Sequence, residues 1–166
     1  EINDEGFLDK RVLVDFLKSQ NSSVRQAAVR ALAKYRDDES FSYVSAALQD
    51  PEAEVRRQAM NCLAWFFGDR CAHAVARCMQ DVDAGVRKSA ALTSGSMKLN
   101  HSISGLITLL SDSDHDVQKA AGHSLIKITA QDHGFRVNGS AKSKSEAIEG
   151  WRFWWRDNQS KFPANK

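Results

Sequence analysis

The chain has 166 residues, of which 42% are hydrophobic and 27% are charged, a composition typical of one soluble globular domain or one short repeat array. Its formal net charge of +2 is too small to indicate a nucleic acid or a membrane as a partner. No apolar run approaches the ~18 residues of a transmembrane helix, so we expect no membrane span. Because the first residue is Glu1, we expect a processed or excised fragment, with any signal peptide out of view.

An internal repeat with a step of 31 residues runs through most of the chain. Its clearest marker is a valine that is followed four residues later by an alanine and, in three of the four repeats, eight residues later by a leucine. This spacing places the three side chains on one face of an α-helix. The valines are Val24, Val55, Val86 and Val117, and the alanines are Ala28, Ala59, Ala90 and Ala121.

The repeat predicts four pairs of helices in chain order, at about 7–36, 40–67, 70–98 and 101–129. Asp or Asn residues precede each valine-led helix, where their side chains cap the first turn. We call the valine-led helices the B helices and the others the A helices. One pair cannot bury its apolar face alone, so neighbouring pairs stack into a continuous core. The predicted fold is all-α, a right-handed α-solenoid of four helix pairs with a C-terminal capping helix.

The motif D-x-[DE]-x-x-V-R-x-x-A-x-x-x-L at this step resembles the short HEAT-like repeats named after phycobilisome lyases, which are widespread in bacterial proteins. The resemblance covers about residues 7–130. It implies that the B helices line a concave face, and that a turn aspartate pairs with the arginine after the valine in adjacent repeats. The implied ladder consists of Arg25, Arg56 and Arg87 with Asp50, Asp81 and Asp112.

The sequence departs from this pattern at two positions of the repeat. Gln118 stands where the fourth arginine would be, and Ser94 stands where the other repeats have a core leucine. We therefore expect repeat three to be locally underpacked. The ladder arginines are interpreted as structural, with an exposed arginine ladder that binds anions as the alternative.

Three of the four tryptophans lie close together near the C-terminus. Residues 129–135 (TAQDHGF) and 147–158 are similar to a tail that follows such repeats in many bacterial proteins. Residues 136–143 read as a loop, and Ser143 with Glu146 reads as a capping box that starts a helix at about 144–159. The array at 1–135 and this tail at 136–166 form one domain in this interpretation. The expected cap residues are Ile148, Trp151, Trp154 and Trp155.

A cap is expected because the terminal repeat of an array exposes an apolar flank that large side chains can cover. Two alternatives are a ligand or partner site that uses one tryptophan, and an anchor at a membrane interface. The second is supported only by the charge of the tail, since 136–166 carry seven Lys and Arg residues against three acidic ones.

The sequence offers little catalytic or metal chemistry. The three cysteines, Cys62, Cys71 and Cys78, do not form a disulfide framework, and no CxxC motif indicates a metal site. No P-loop, GxGxxG after a strand, HExxH or GxSxG occurs. We therefore expect a protein that is not an enzyme, with no metal, no cofactor and no small-molecule substrate.

The B helices carry many cations and no acids beyond their first turns. Positions opposite the core stripe form a basic row beside an apolar row, which suits an acidic, partly apolar peptide. The alternative is that this charge pattern has no binding role, and that acids at helix starts and bases elsewhere only complement the helix dipoles. The apolar row is Ala33, Ala64, Gly95 and Ile126. The predicted binding residues are Gln26, Arg30, Arg57, Asn61, Trp65, Lys88, Lys119 and His123.

The sequence therefore predicts a non-enzymatic scaffold whose concave face binds an acidic protein or peptide. The first alternative is nucleic-acid binding through the same basic face. The second is a lyase-type enzyme of the phycobilin-lyase group, with which the repeats are shared. By resemblance the source is bacterial, and we expect a soluble protein that is either cytoplasmic or exported.

Overall fold

The computed structural model describes residues 9–163, and within that range it contains nine α-helices and no strand. The prediction of an all-α fold is confirmed for these residues. Short 3-10 turns cover Ala47–Gln49, Gly68–Cys71, Asn100–Ser102 and Gln159–Lys161. The helices are α1 (Lys10–Phe16), α2 (Ser22–Ala33), α3 (Asp38–Ala46), α4 (Ala53–Phe67), α5 (Ala72–Cys78), α6 (Ala84–Met97), α7 (Ile103–Leu109), α8 (His115–Thr129) and α9 (Ala141–Asn158).

The B helices (α2, α4, α6 and α8) are long and regular, whereas the A helices (α1, α3, α5 and α7) are short and are partly replaced by 3-10 turns. α4 and α8 each have 15 residues, while α5 and α7 have seven. α3 passes into a 3-10 turn that ends before Asp50, which has extended geometry because a residue before proline avoids the helical region. Residues 7 and 8 of the first predicted helix lie outside the described residues.

The chain divides into two compact units, Glu1–Ala74 and Val75–Lys166, with the boundary inside α5. In the first unit, α2 packs against α1, α3 and α4. Its core includes Leu32, Val55 and Leu63, all without solvent exposure. In the second unit, α8 packs against α6 and α7, and α7 also contacts α9. Apolar burial of the B helices therefore holds each unit together.

Side-chain caps start three of the four B helices, as the acidic and amide clusters predicted. Asn21 accepts a hydrogen bond from the Ser23 amide, and Asp83 accepts one from the Val86 amide. Asp114 accepts from two amides at the start of α8. At α4 the N-cap residue is Glu52, which makes no side-chain cap.

The start of the tail helix differs from the prediction. α9 begins at Ala141, and its N-cap is Ser140, whose hydroxyl accepts from the Ser143 amide at 3.1 Å. The predicted capping box of Ser143 with Glu146 is therefore wrong, since the Ser143 hydroxyl instead donates to the Ser140 carbonyl. The Gly139 amide bonds to the Arg136 carbonyl at 2.9 Å. This turn redirects the chain before Ser140, so the helix can begin one turn early.

The apolar row of the B helices does not face outward as predicted. Ala33 and Gly95 are buried, and only Ile126 of that row is more than a third exposed, at 38%. A Cβ atom on Gly95 would lie 2.7 Å from the Cβ of Ser124 and 2.9 Å from its Cα. Direct packing of α6 on α8 therefore widens the buried face of these helices beyond the stripe that carries the repeat.

Candidate binding site

A groove in the first unit lies between α2 and α4 and has a volume of about 310 Å³. Arg30 of α2 and Lys34, which directly follows that helix, contribute one wall, and side chains between residues 58 and 66 of α4 contribute the other. We call it the Trp65 groove. It is lined by Arg30, Lys34, Gln58, Asn61, Cys62, Trp65 and Phe66.

Trp65 is the most unusual residue of this groove, because 82% of its surface is exposed. Tryptophan carries a large apolar surface that proteins usually bury. The next residue, Phe66, is half-buried, and the Arg36 guanidinium lies over its ring at 5.3 Å from the centroid. The groove therefore offers an open indole beside a ring that is already packed, an arrangement typical of a contact surface.

Two cations stand on the α2 side of the groove. Arg30 and Lys34 are four residues apart on or just after α2, so their side chains lie on the same face of the helix. Both are exposed, and within residues 9–163 neither forms an ion pair. Arg25, which lies five residues before Arg30, is instead paired with Asp50. Arg30 and Lys34 are therefore available to an acidic ligand.

The groove also contains a buried thiol. Cys62 is 3% exposed, and the Gln58 side-chain amide lies 3.2 Å from its Sγ. Burial raises the pKa of the Cys62 thiol, with Gln58 and Arg30 acting in the opposite direction. The thiol is therefore protonated near neutral pH, and Cys62 serves as a small apolar residue instead of a nucleophile.

The basic row that was predicted on the B helices is largely neutralised. Arg57 forms an ion pair with Glu54, three residues earlier on α4, and Lys88 forms one with Asp116 of α8 at 2.5 Å. Two cations of the row that was predicted to attract an acidic ligand therefore already have acidic partners. Acids in the first turn of a B helix lie within reach of cations on the next turn or on the neighbouring helix.

The predicted binding residues are distributed over both units. Arg30, Asn61 and Trp65 meet in the Trp65 groove, and Gln26 and Arg57 lie elsewhere in the first unit. Lys119 and His123 line a different cavity in the second unit. Lys88 belongs to the same unit but does not line that cavity. Sequence reasoning missed the groove residues Lys34, Gln58, Cys62 and Phe66. A helical projection that paired the outward positions of one B helix with those of the next could have found Lys34.

The ladder residues hold turns together and are not open to anions. Arg25 forms two hydrogen bonds of 2.7 Å to the carboxylate of Asp50, and Arg87 holds Asp112 in the same way at 2.7 and 2.8 Å. The Arg87 hydrogen bond holds the pKa of Asp112 below its usual range. Arg56 donates to the carbonyls of Asp50 and Pro51 in its own preceding turn. The remaining residue of the predicted ladder, Asp81, belongs to the second unit.

The departure at Gln118 has a local explanation. Its side-chain amide donates to the Asp112 carbonyl at 2.6 Å, which reproduces the bond that the arginines make to their own turns. Its side-chain oxygen accepts from Lys144 of α9 at 3.4 Å. At the equivalent position Arg25 and Arg87 each pair with an aspartate of the next turn. Gln118 instead faces the cation Lys144 of α9, so a neutral glutamine suits the last repeat.

The tail tryptophans lie in an aromatic cluster of the second unit. Trp151 is 1% exposed and Ile148 is 8% exposed, while Trp154 and Trp155 are half-buried. The His133 ring packs edge-on against Trp151 with a centroid distance of 4.6 Å, and Phe162 lies 5.5 Å from Trp154. The buried face of α9 contacts α7. This geometry is suited to covering the last repeat.

Between residues 9 and 163, no three His, Cys, Asp or Glu side chains cluster closely enough to hold a metal ion. No helix in the same range is both long and apolar enough to cross a bilayer.

Comparison with known proteins identifies the family. The sequence pattern of the HEAT repeats family matches residues 11–93 and, in a second register, 44–126. No curated protein matches the chain. The complex of CpcE and CpcF of phycocyanin lyase from Nostoc sp. PCC7120 is similar in structure, with a TM-score of 0.57, 18% identity, and coverage of 79% of this chain and 69% of that one. An engineered protein matches with a TM-score of 0.48 and 22% identity, over 87% of this chain and 79% of that one. The match over most of the repeat array shows that the chain belongs to the HEAT repeats family.

Proposed function

We propose that the chain is a non-enzymatic scaffold that binds an acidic, partly apolar segment of another protein in the Trp65 groove. The observation that carries this proposal is Trp65 itself, which is 82% exposed beside two cations that have no acidic partner among residues 9–163. Aromatic residues and arginine are enriched at the energetic centres of protein interfaces. Arrays of helical repeats present extended surfaces for such partners.

The size and charge of the groove define the ligand. A volume of about 310 Å³ is at the lower end for ligand pockets and suits one large apolar side chain. That side chain would pack on the indole of Trp65 and the edge of Phe66. Carboxylates on either side of it would meet Arg30 and Lys34, and an arginine can bind a carboxylate through two parallel hydrogen bonds. Such charge complementarity increases the association rate and fixes the register of the bound segment.

The same observations favour a peptide over a nucleic acid. Phosphate binding needs several cations along one surface, and each neutralised phosphate adds to the salt dependence of binding. The predicted binding residues include four Lys or Arg side chains. Two of them, Arg57 and Lys88, are already paired with acids. An apolar contact with Trp65 would lose less affinity at high salt than a set of phosphate contacts.

The similarity to phycocyanin lyase does not extend the proposal to catalysis. At 18% identity it concerns the fold alone. The thiol in the groove is protonated, and the groove side chains Gln58 and Asn61 are not acids or bases. A binding role is therefore the function that the chemistry of the groove supports best.

The proposal is tested with a fluorescein-labelled peptide that carries one central phenylalanine between two pairs of glutamates. We expect Trp65→Ala to weaken binding about tenfold, which corresponds to ~1.4 kcal/mol. The double variant Arg30→Glu, Lys34→Glu should abolish binding, measured by fluorescence anisotropy. A matched double reversal on α1 and the turn after it, Arg11→Glu with Lys18→Glu, changes the charge equally and should leave binding intact.

Two results would count against the proposal. One is equal affinity of wild type and Trp65→Ala for the peptide. The other is tighter binding of a single-stranded oligonucleotide with a steep decrease of log K against log salt, which would favour the nucleic-acid alternative. Thermal melting of each variant shows whether the fold is intact, since exposed substitutions usually change the free energy of unfolding by about 0.5 kcal/mol or less.

A further inference from the structure

A second cavity, of about 270 Å³, lies in the second unit between α8 and the segment 132–137 that follows it. Gly122 makes the close approach of this segment to α8 possible, because a Cβ atom there would lie only 3.2 Å from Cδ1 of Phe135. The cavity is lined by Lys119, Gly122, His123, Ile126, Asp132, Phe135, Arg136 and Val137.

Three nitrogen-bearing side chains surround this cavity on two sides. Lys119 and His123 are four residues apart on α8 and share one exposed face of that helix. Arg136 stands on the opposite side, on the segment after α8. The cavity therefore places hydrogen-bond donors from two separate parts of the chain around one space.

Arg136 is held in position by its own neighbours. Its guanidinium donates to both carboxylate oxygens of Asp132, at 3.3 and 3.0 Å, and to the carbonyl of Phe135 at 2.8 Å. A guanidinium has five N–H donors, so these three bonds leave two of them available. The group is therefore preorganised to bind an anion at little further cost in side-chain entropy.

The charge of the lining is positive. Arg136 and the Gly134 amide lower the pKa of Asp132, which therefore stays ionised near neutral pH. Lys119 and Arg136 against Asp132 give the lining a net charge of +1, to which the ring of His123 adds further polar nitrogen atoms. Asp116, one turn before Lys119, is bonded to Lys88.

The rest of the lining is apolar. Ile126 is 38% exposed, and the ring of Phe135 is buried against α8. Val137 continues this apolar surface. A cavity of ~150 Å³ is large enough for a benzene molecule, so about 270 Å³ suits a group the size of one aromatic amino acid.

We infer that this cavity binds a carboxylate attached to an apolar, residue-sized body. The carboxylate would lie between Lys119, His123 and Arg136, and the apolar body would pack against Ile126, Phe135 and Val137. A free aromatic acid and the C-terminal residue of a peptide share this chemistry. The site uses no residue of the Trp65 groove, so it is independent of the proposed function.

The test uses three small probes on the intact chain: N-acetyl-L-phenylalanine as a mimic of a peptide terminus, 3-phenylpropanoate as a free acid, and N-acetyl-L-phenylalaninamide as the neutral control. Binding is followed by NMR through the Gly122 amide and the Ile126 methyl groups. We expect saturable shifts for at least one acid, with a Kd of about 1 mM for a ligand of this size, and none for the amide. The tighter of the two acids identifies the source of the ligand.

Variants separate this site from a nonspecific effect. Lys119→Met removes one cation and keeps the length of the side chain, and it should weaken binding of the acid at least fivefold. Lys142→Met removes an exposed cation of α9, so it should bind the acid like wild type. Trp65→Ala should also bind the acid normally, which keeps this result separate from failure of the Trp65 groove.

The inference is overturned by equal binding of the neutral amide, or by wild-type affinity in Lys119→Met. Shifts that spread over the surface without saturation would also overturn it. A thermal melt of Lys119→Met shows that a loss of binding does not come from unfolding, since Lys119 is exposed.

Discussion

Arg25 holds both carboxylate oxygens of Asp50, a residue 25 positions later that opens the turn before the next B helix. The same guanidinium donates to the Ser19 carbonyl of its own preceding turn at 2.8 Å. Arg87 repeats the arrangement with Asp112, again 25 positions later, and with the Asp81 carbonyl. Each of these two arginines therefore joins two successive turns with one rigid, planar group.

Asp112→Asn tests how much the ladder stabilises the second unit. The Asp112 side chain is 7% exposed and its partner Arg87 is 14% exposed, so solvent screens the pair weakly. Asparagine keeps the side-chain oxygen that accepts from the Asp114 amide but leaves Arg87 without a counter-charge. We expect a loss of about 2–4 kcal/mol in the free energy of unfolding, measured by urea denaturation.

Asp116→Asn is the matched control for this variant, since Asp116 lies four residues away in an exposed pair with Lys88. An exposed ion pair contributes about 1 kcal/mol or less, so the control should lose little. Equal losses of unfolding free energy in the two variants would show that the buried Arg87–Asp112 pair stabilises the protein no more than an exposed pair does.

The stability of the protein should decrease at low pH because Asp37 becomes protonated. The Lys10 ammonium and the Ser40 amide lower the pKa of Asp37 to about 2. In the unfolded chain the pKa of an aspartate is about 3.9, so this contribution is complete above that pH and is lost as the pH decreases toward 2. Asp37→Asn retains a capping side chain for α3 and removes only the charge. Its melting temperature should lie below that of wild type at pH 6, with the two values converging near pH 2.

If the difference in melting temperature between wild type and Asp37→Asn stays constant from pH 6 to pH 2, the lowered pKa of Asp37 does not contribute to stability. Asp38→Asn is a suitable comparison, because that side chain is 92% exposed in its pair with Arg70. Its melting temperature should follow that of wild type at every pH.

The 31-residue period was sufficient to predict the helix pairs, since apolar spacing dictates which face of each helix is buried. It could not predict the ion pairs of Arg57 and Lys88, because the position of a flexible charged side chain depends on tertiary contacts. Ser140 and Ser143 are both acceptable N-caps in sequence, and only the turn at Gly139 selects between them. The sequence did predict Trp65 as a binding residue, but it could not predict that 82% of that side chain is exposed, since an aromatic residue on a helix more often packs inside.

The tail helix should contribute to stability through Trp151. This side chain is 1% exposed and contacts the His133 ring, so truncation to alanine leaves a large cavity. We expect Trp151→Ala to cost about 3–5 kcal/mol, measured by urea denaturation. Phe153→Ala on the same helix is the control, because Phe153 is 61% exposed and should lose about 1 kcal/mol or less even with the Arg156 contact over its ring.

If Trp151→Ala unfolds at the same urea concentration as wild type, α9 is not a cap of the last repeat. Removal of residues 136–166 would extend the test, since we expect a truncated chain to aggregate through the apolar surface of α7 that α9 covers.

The third repeat provides the sharpest test of packing. The sequence predicted an underpacked site at Ser94, but Ser94 is fully buried and its hydroxyl lies 3.1 Å from that of Ser102. The adjacent Gly95 lets α6 approach α8 so closely that any Cβ would lie 2.9 Å from the Cα of Ser124. Gly→Ala in a helix normally stabilises by about 0.5–1 kcal/mol. Here the added methyl group meets backbone, so we expect Gly95→Ala to destabilise by ~1–3 kcal/mol.

Gly150→Ala provides the opposite sign within the same unit. Gly150 lies inside α9, and a Cβ there would meet His133 at 3.6 Å, an ordinary van der Waals contact. The helical preference of alanine should therefore dominate, and the free energy of unfolding should increase by about 0.5–1 kcal/mol. Opposite shifts of the urea midpoint for the two variants would show that small residues at 94 and 95 serve close helix contact. A stabilising Gly95→Ala would instead show that repeat three has room to spare, as its missing leucine first suggested.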